Sequence, residues 1–207
     1  MKQRGTGKAR LGEPTLTISD WAEAALQLMA EKGLRALTVS ALADRLGVTK
    51  GSFYWHFQGR SELLAAALER WEHRATIEPI TTLEAMPDTR RRLELILDAS
   101  TQPPRSRSVY AALAEAADDP IVGRALNRVA SARIEYLERC YAALGFTAAQ
   151  ARGQAVLAYA AYRGLLQLAH EAPATLPTDW PAYASLVRRT FVPGLGPRAA
   201  RRRDQRK

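Results

Sequence analysis

The chain has 207 residues, 47% of them hydrophobic and 25% charged, which is the composition of a globular protein with a substantial core. It contains no run of 18 apolar residues, and no apolar signal-peptide core follows the basic residues 1–10, so we expect neither a membrane span nor a secretion signal. Abundant leucine, alanine, glutamate and arginine favour α-helix. The single cysteine, Cys140, cannot form an internal disulfide and indicates a reducing, cytoplasmic environment.

The net charge of +9 is concentrated at the two ends of the chain. Residues 1–60 carry +4, residues 61–197 are neutral, and residues 198–207 carry +5. Because phosphate contacts dominate non-specific affinity for nucleic acids, basic ends beside a neutral middle are compatible with an anionic polymer as the partner. Basic tails that only keep the protein soluble would give the same distribution, so charge alone leaves both interpretations open.

The first 60 residues predict a basic arm and three short helices. Residues 1–13 lack hydrophobic periodicity and predict a disordered arm. Helices are predicted over residues 18–32, 39–46 and 50–57, where apolar residues recur at helical spacing. Each follows a threonine suited to the N-cap, and the first two end at a glycine; these residues are Thr17, Thr38 and Thr49, and Gly33 and Gly47.

Further helices follow, separated by proline and glycine. A fourth is predicted from about Arg60 to near Pro79. The later ones are predicted over residues 89–100, 107–117, 121–144, 147–171 and 179–192, and the basic residues 197–207 predict a disordered tail. No strand pattern and no internal repeat occurs. The sequence therefore predicts an all-α protein of about nine helices, with a small domain over residues 14–60 and a larger helical domain over residues 61–196.

The clearest functional signal lies between residues 38 and 57. Two short helices joined by a glycine-containing turn have the spacing of a helix-turn-helix, whose second helix enters the major groove of DNA. The first turn of the third helix, residues 49–52, has small polar side chains, one cation and free backbone N–H groups. Such groups can approach phosphates or base edges.

Five large side chains follow one another in that third helix. Phe53 and Phe57 share one face and are expected to anchor the helix to the first two helices. Because successive residues turn by roughly 100°, Tyr54, Trp55 and His56 cannot all point inward as well. Exposed aromatic residues beside a cation are typical of a surface that meets a partner. For Trp55, and less so for Tyr54, the alternative is packing beneath the fourth helix.

Residues 18–68, above all the run GVTKGSFYWHF over residues 47–57, resemble the DNA-binding domain of TetR/AcrR-type regulators. The resemblance implies double-stranded operator DNA as the partner. It implies that the DNA backbone, nearby phosphates or bases are contacted by Thr38, Thr49, Lys50, Gly51, Ser52, Tyr54, Trp55, His56 and Arg60. Two positions depart from the family pattern. Position 60 is often lysine in the family and is arginine here. Position 59 usually carries a stronger helix cap than Gly59, so the hinge before the fourth helix is expected to be looser.

The remaining two-thirds of the chain resembles the family in outline only. The resemblance implies a homodimer formed by the last two long helices, and a pocket for a small-molecule effector among helices four to eight. For the dimer interface we predict the apolar residues Leu157, Ala161, Leu165, Leu168 and Leu186. For the pocket we predict Trp71, Tyr110, Tyr159, Tyr162, Arg163 and His170. Ordinary packing within one chain is the alternative for both sets.

Arg163 is the most informative pocket residue, because a charge inside an apolar stretch requires a partner. An anionic ligand could supply that partner, and so could Glu135 or Glu138.

The sequence as a whole predicts a ligand-responsive transcriptional regulator. The simplest form is a repressor that binds a palindromic operator as a dimer and leaves it when the effector binds; activation remains open. A constitutive DNA-binding protein with a tightly packed C-terminal half is one alternative, and a module whose aromatic cluster binds a partner helix is another. The basic tail either adds DNA affinity or is merely solvated.

An enzyme is not predicted. The three histidines, His56, His73 and His170, lie in separate helices without metal-ligand spacing. No nucleophile elbow, phosphate-binding loop or dinucleotide motif occurs. We therefore predict neither a cofactor nor a metal.

Overall fold

The computed structural model of the protein describes residues 16–102 and 109–194. Within these ranges the chain forms α-helices, two short 3₁₀ turns and one π-helical segment, and no strand, which confirms the predicted all-α class. The arm predicted over residues 1–13 and the tail predicted over residues 197–207 lie outside the described residues.

The helices follow one another closely along the described chain. They are α1 (Ile18–Lys32), α2 (Val39–Leu46), α3 (Lys50–Tyr54), α4 (Arg60–Glu72), α5 (Glu78–Glu84), α6 (Thr89–Ser100), α7 (Val109–Glu115), α8 (Pro120–Ala143), α9 (Ala148–Glu171) and α10 (Trp180–Phe191). A π-helical segment, His73–Ile77, joins α4 to α5 without a break. Counting α4 to α5 as one continuous helix gives nine separate helices within the described ranges, as predicted.

Local capping chemistry determines where several helices begin. At α1 the backbone N–H of Asp20 donates to Thr17 Oγ1 (3.3 Å), while the backbone N–H of Thr17 donates to the Asp20 carboxylate (2.7 Å). A second capping box, formed by Thr147 and Gln150, opens α9. Each such cap satisfies backbone donors that the first turn leaves unpaired, and contributes about 1 kcal/mol.

One hydrophobic core joins α1–α4 to the helices that follow. Trp21 and Phe53 are fully buried, and their rings meet edge to face with centroids 5.5 Å apart. The same core includes Trp71 of α4, Leu113 of α7 and Val122 of α8. Packing is therefore continuous across the domain boundary predicted near residue 60, and α4 is the element that crosses it.

A second core holds the other end of the molecule together. It is formed by α6, the later part of α8, the first half of α9 and the end of α10, with Leu93, Leu97 and Phe191 among its buried members. The Tyr141 hydroxyl donates to the Phe191 carbonyl (2.9 Å), which holds the end of α10 against α8.

Two predicted helix ends were wrong. Helix α3 ends at Tyr54 and not at Phe57, because the chain turns there toward α4. The helix that begins at Arg60 does not end near Pro79 but continues to Glu84. Proline has no N–H to donate to the carbonyl four residues earlier. That carbonyl, on Ala75, accepts a hydrogen bond from Arg133 Nη2 (2.6 Å), so a side chain from α8 supports the helix at the proline.

Candidate nucleic-acid interface and effector cavity

The turn between α2 and α3 is held by backbone geometry. Gly47 ends α2 with φ of +69°, a left-handed conformation that glycine adopts without steric cost. The backbone N–H of Val48 then donates to the Ala43 carbonyl (3.0 Å). At the start of α2, Thr38 Oγ1 accepts from the Ala41 N–H (3.1 Å). Thr38 thus has a structural role, besides the DNA contact that the resemblance implies.

The first turn of α3 presents small polar groups at the surface. Thr49 stands at the N-cap position, yet its hydroxyl accepts no capping hydrogen bond from the helix. Lys50 and Gly51 are exposed, and Ser52 is half-buried. Three predicted DNA-contacting residues are therefore accessible side by side on one short turn, with the fourth partly so.

Buried phenylalanines set the orientation of this turn. Phe53 is fully buried and Phe57 is 4% exposed, and their rings stack with centroids 5.3 Å apart. With this face anchored, Tyr54 is 64% exposed and Trp55 is 87% exposed, while His56 is half-buried. Trp55 therefore does not pack beneath α4, and the two aromatic side chains are available to a partner.

Arg60, predicted as a phosphate contact, has a structural role that the sequence did not reveal. Its Nε donates to the Leu37 carbonyl (2.8 Å) and its Nη2 to the Leu34 carbonyl (3.1 Å). These bonds tie the start of α4 to the 3₁₀ turn between α1 and α2. At the hinge before α4, the Glu62 carboxylate accepts from the backbone N–H of Gln58 (2.6 Å).

Ion pairs tie α4 to α1 further along. The Glu23 carboxylate of α1 accepts from Arg70 Nε (2.9 Å), and also from Arg74 one turn later. The hydrogen bond from Arg70, together with the charges of both arginines, lowers the pKa of Glu23. Helix α1 is thus coupled to the long α4–α5 helix by charge as well as by the shared core.

A cavity of about 610 Å³ lies between the π-helical segment, α5, α6, α8 and α9. Its walls are mainly apolar, and include Ile80, Leu83, Ile96, Leu97 and Leu137. This volume is within the range of about 300–1,000 Å³ that is usual for small-molecule sites. Of the six predicted pocket residues, two line this cavity: Tyr159 and Tyr162.

Three polar side chains on the cavity wall stand out. The hydroxyls of Tyr136 (3% exposed) and Tyr159 (8% exposed) have no hydrogen-bond partner among the described residues. Burial raises the pKa of Tyr136 to about 12 and also raises that of Tyr159, so both are neutral phenols at pH 7. Arg133 Nε donates to Thr76 Oγ1 (3.0 Å), in addition to the bond to Ala75.

Sequence reasoning missed Arg133, Tyr136 and Thr76. A signal was present for the arginine, because it lies four residues from both Val129 and Leu137, on the buried face of α8. A charge on the apolar face of a long helix is the same kind of signal that singled out Arg163.

The other predicted pocket residues lie elsewhere. Tyr110, Arg163 and His170 line a second cavity of about 100 Å³ between α7 and α9. Arg163 lies over the Tyr110 ring (4.4 Å), and burial lowers its pKa. Neither glutamate considered as its partner pairs with it within the described chain; Glu138 pairs with Arg152 (3.1 Å).

Trp71 lines neither cavity. It is 7% exposed and packs against Tyr110 in the first core, with ring centroids 6.0 Å apart. Packing alone therefore accounts for its burial.

Four of the five residues predicted for the dimer interface are exposed. Leu157, Leu168 and Leu186 are 57%, 45% and 52% exposed, and Ala161 is exposed beside them on α9. Leu165 is only 6% exposed and packs inside its own chain. Large apolar side chains left in solvent on a long helix are typical of a surface that another protein covers.

No helix within the described residues is long and apolar enough to cross a membrane. The described residues also contain no group of three or more histidine, cysteine, aspartate or glutamate side chains arranged to hold a metal ion.

A family model described as bacterial regulatory proteins, tetR family, matches residues 22–67. The chain is similar to the HTH-type transcriptional regulator SrpR of Pseudomonas putida, with 39% identity over 51 residues. It is also similar to the tetracycline repressor protein class A from transposon 1721 of Escherichia coli, with 48% identity over 46 residues. These matches cover 25% and 22% of this chain, but only 24% and 21% of the two relatives, about a quarter of their length or less.

Similarity of fold extends much further along the chain. A transcriptional regulator from Rhodococcus sp. Rha1 has a TM-score of 0.70 at 24% sequence identity, covering 85% of this chain and 96% of that chain. A protein from Saccharomonospora viridis, solved in complex with choline, has a TM-score of 0.64 at 19% identity, covering 82% and 92%. At these identities the structures establish the shared fold alone. The helix-turn-helix segment, residues 22–67, therefore matches the tetR family of bacterial regulatory proteins, and the described chain shares its fold with solved transcriptional regulators.

Proposed function

We propose that the protein is a ligand-responsive transcriptional regulator, most simply a repressor. In this proposal it binds a palindromic operator as a homodimer through residues 14–60, and it leaves the operator when an effector enters the larger domain, residues 61–196. One observation carries the proposal. The continuous α4–α5 helix begins at Arg60, beside the helix-turn-helix, and its far half forms a wall of the 610 Å³ cavity.

The DNA-binding part of the proposal rests on the first turn of α3. Thr49, Lys50 and Gly51 are exposed there, Tyr54 follows them, and the turn is fixed from behind by Phe53. A lysine and free helix N–H groups are suited to phosphates, and a glycine lets the backbone approach a base edge closely. We assign Ser52, Trp55 and His56 to the edge of the same surface.

The homodimer is supported by the exposed apolar surface of α9 and α10. Val156 adds to Leu157 and Leu168 on α9, and Leu186 is exposed on α10. Two helix-turn-helix units held by such an interface would contact two half-sites about one DNA turn apart, which a palindromic operator provides.

The effector part of the proposal rests on the cavity. A constitutive DNA-binding protein with a tightly packed C-terminal half would have no space of this size. The S. viridis protein of the same fold accommodates choline, so the fold is compatible with small-molecule binding. In a two-state mechanism the effector must bind one arrangement of the α4–α5 helix more tightly than the other, and this difference sets the size of the response.

DNA binding over a salt series tests the proposal, with DNA fragments that flank the protein's own gene. We compare the intact protein with Lys50→Ala, Tyr54→Ala and a control, Arg124→Ala, which removes an exposed charge from α8. Specific binding that weakens with salt, and that each α3 substitution weakens by about 1–3 kcal/mol, would support the proposal. An equal loss of affinity in Arg124→Ala, or no loss of affinity in any variant, would contradict the proposal.

A further inference from the structure

We infer that the 610 Å³ cavity binds an amphipathic molecule with a single negative charge, whose anionic group contacts Arg133 and the hydroxyl of Tyr159. The inference rests on the proposed function, since it takes this cavity as the effector site, and it names the chemical class of that effector. Three observations lead to it: an arginine without a counter-ion, a buried hydroxyl without a partner near it, and an apolar wall around them.

Arg133 is the charge without a counter-ion. Its guanidinium is half-buried and donates to two neutral oxygens, Thr76 Oγ1 (3.0 Å) and the Ala75 carbonyl (2.6 Å). No carboxylate of residues 16–102 or 109–194 lies within ion-pair distance of it. Nη1 is not used in either bond, and guanidinium has five donors in a fixed plane. Arg133 also lies over the Tyr162 ring (5.9 Å), which supplies no negative charge. A half-buried charge without a counter-ion is unfavourable, and an anionic ligand would supply that counter-ion.

The other charged groups on the cavity wall do not provide that partner. Arg74 pairs with Glu23 of α1. The Glu78 side chain is 57% exposed at the edge, where its carboxylate lies 3.1 Å from His73 Nδ1. The inner part of the cavity therefore has an excess of positive charge, which favours an anion and disfavours a cation.

The hydroxyl of Tyr159 is positioned near this charge. Tyr159 projects from the neighbouring α9, and the charge of Arg133 acts against the rise in its pKa that burial causes. A buried hydroxyl without a partner is unfavourable. The hydroxyl of Tyr136, in contrast, lies beside the thiol of Cys140 and near the charges of Arg92 and Glu84. Tyr159 is a neutral phenol at pH 7, so it can donate to an anion rather than repel it.

The apolar part of the cavity wall determines the chemistry of the uncharged part of the ligand. Ile80, Leu83, Ile96, Leu97 and Leu137 make most of the wall apolar. The hydroxyls of Thr82 and Ser100, also on the wall, donate to backbone carbonyls. A wholly hydrophilic anion, such as inorganic phosphate, would leave the apolar side chains uncovered. An alkyl or aromatic body with one terminal acid group fits both parts of the cavity.

Calorimetric titration of the full chain tests the inference with three ten-carbon probes that differ only in the head group: decanoate, decanol and decyltrimethylammonium. We expect one decanoate per chain, bound at least tenfold more tightly than decanol, and weaker binding of the cation. In Arg133→Met the preference for decanoate over decanol should fall about tenfold, and in Arg133→Lys part of it should return. Tyr159→Phe should weaken decanoate binding severalfold, whereas Arg124→Met, which replaces an exposed arginine on the same helix as Arg133, should change nothing.

The preference is measured within each variant, so a general loss of stability in Arg133→Met does not imitate the result. Equal affinity for decanoate and decanol in the intact protein, tighter binding of the cation, or no binding of any probe would overturn the inference. So would an unchanged preference in Arg133→Met, since Arg133 would then only support the helix at Pro79. The titration contains no DNA. Failure of the proposed function would appear instead as absent operator binding, or as operator binding that the bound ligand does not alter.

Discussion

Adding a single methyl group at Gly51 should separate DNA binding from folding. A Cβ placed on Gly51 would meet Thr49 Oγ1 at 3.5 Å, an ordinary van der Waals contact, and no other group outside its own helix within 4 Å. Alanine has the higher helix propensity, by up to about 1 kcal/mol. Gly51→Ala should therefore unfold at the same temperature as the intact protein or slightly higher.

The effect on DNA binding should be opposite in sign. If the backbone at Gly51 lies against a base edge or a phosphate, the methyl group forces the first turn of α3 outward. The bonds made by Lys50 and Ser52 would then lengthen as well. Loss of one hydrogen bond to a charged group costs about 1.5–3 kcal/mol, so operator affinity should fall roughly 10- to 150-fold.

Thermal unfolding and operator binding, measured on the same preparation, decide the matter. Ser131→Ala, a one-atom change at an exposed position of α8, is the control and should leave both unchanged. A Gly51→Ala protein that binds the operator as tightly as the intact protein would refute the assignment of α3 as the helix that contacts DNA. A variant that is less stable would instead show that the first turn of α3 has neighbours other than those described above.

Three further predictions follow from named contacts. Thr38→Ala removes a capping bond and should lower stability by about 1 kcal/mol in urea unfolding, whereas Thr49→Ala, whose hydroxyl caps nothing, should lower operator affinity without lowering stability. Glu23 has a lowered pKa, so its stabilising effect is present above its unfolded pKa and is lost as pH falls through its folded pKa. The stability difference between the intact protein and Glu23→Gln should therefore shrink on acidification; a constant difference would exclude this linkage. Leu157→Arg should halve the mass measured by light scattering, and a dimer that persists would place the interface elsewhere.

The parts of the fold that the sequence predicted well depend on local chemistry. Thr17, Thr38 and Thr147 cap helices through atoms three residues away, and Gly47 adopts a conformation that few other residues tolerate. Such interactions are visible in a short window of sequence. Helix α2 and the turn after it are held by such interactions, which explains why the sequence located both ends of α2 correctly.

The parts that the sequence did not predict depend on distant contacts. Arg60 donates to carbonyls 23 and 26 residues earlier, and Arg133 supports a helix 58 residues away. Pro79 alone predicted a helix end, since its supporting side chain comes from another helix. The cavity is assembled from five elements, so periodicity could show that Tyr159 and Tyr162 face inward but not which space they face.

The same distant contacts suit the α4–α5 helix to transmit a signal. At its start Arg60 holds it to the turn before α2, and near its middle Arg133 holds the π-helical segment to α8, in both cases through side-chain bonds to backbone carbonyls. A charged hydrogen bond of this kind contributes about 1.5–3 kcal/mol. Coupling energies between allosteric sites are typically about 1–3 kcal/mol. An anion that draws Arg133 away from Ala75 would therefore change the energy of the α4–α5 helix by the amount that regulation requires. Pro79 has no N–H with which to restore the lost bond.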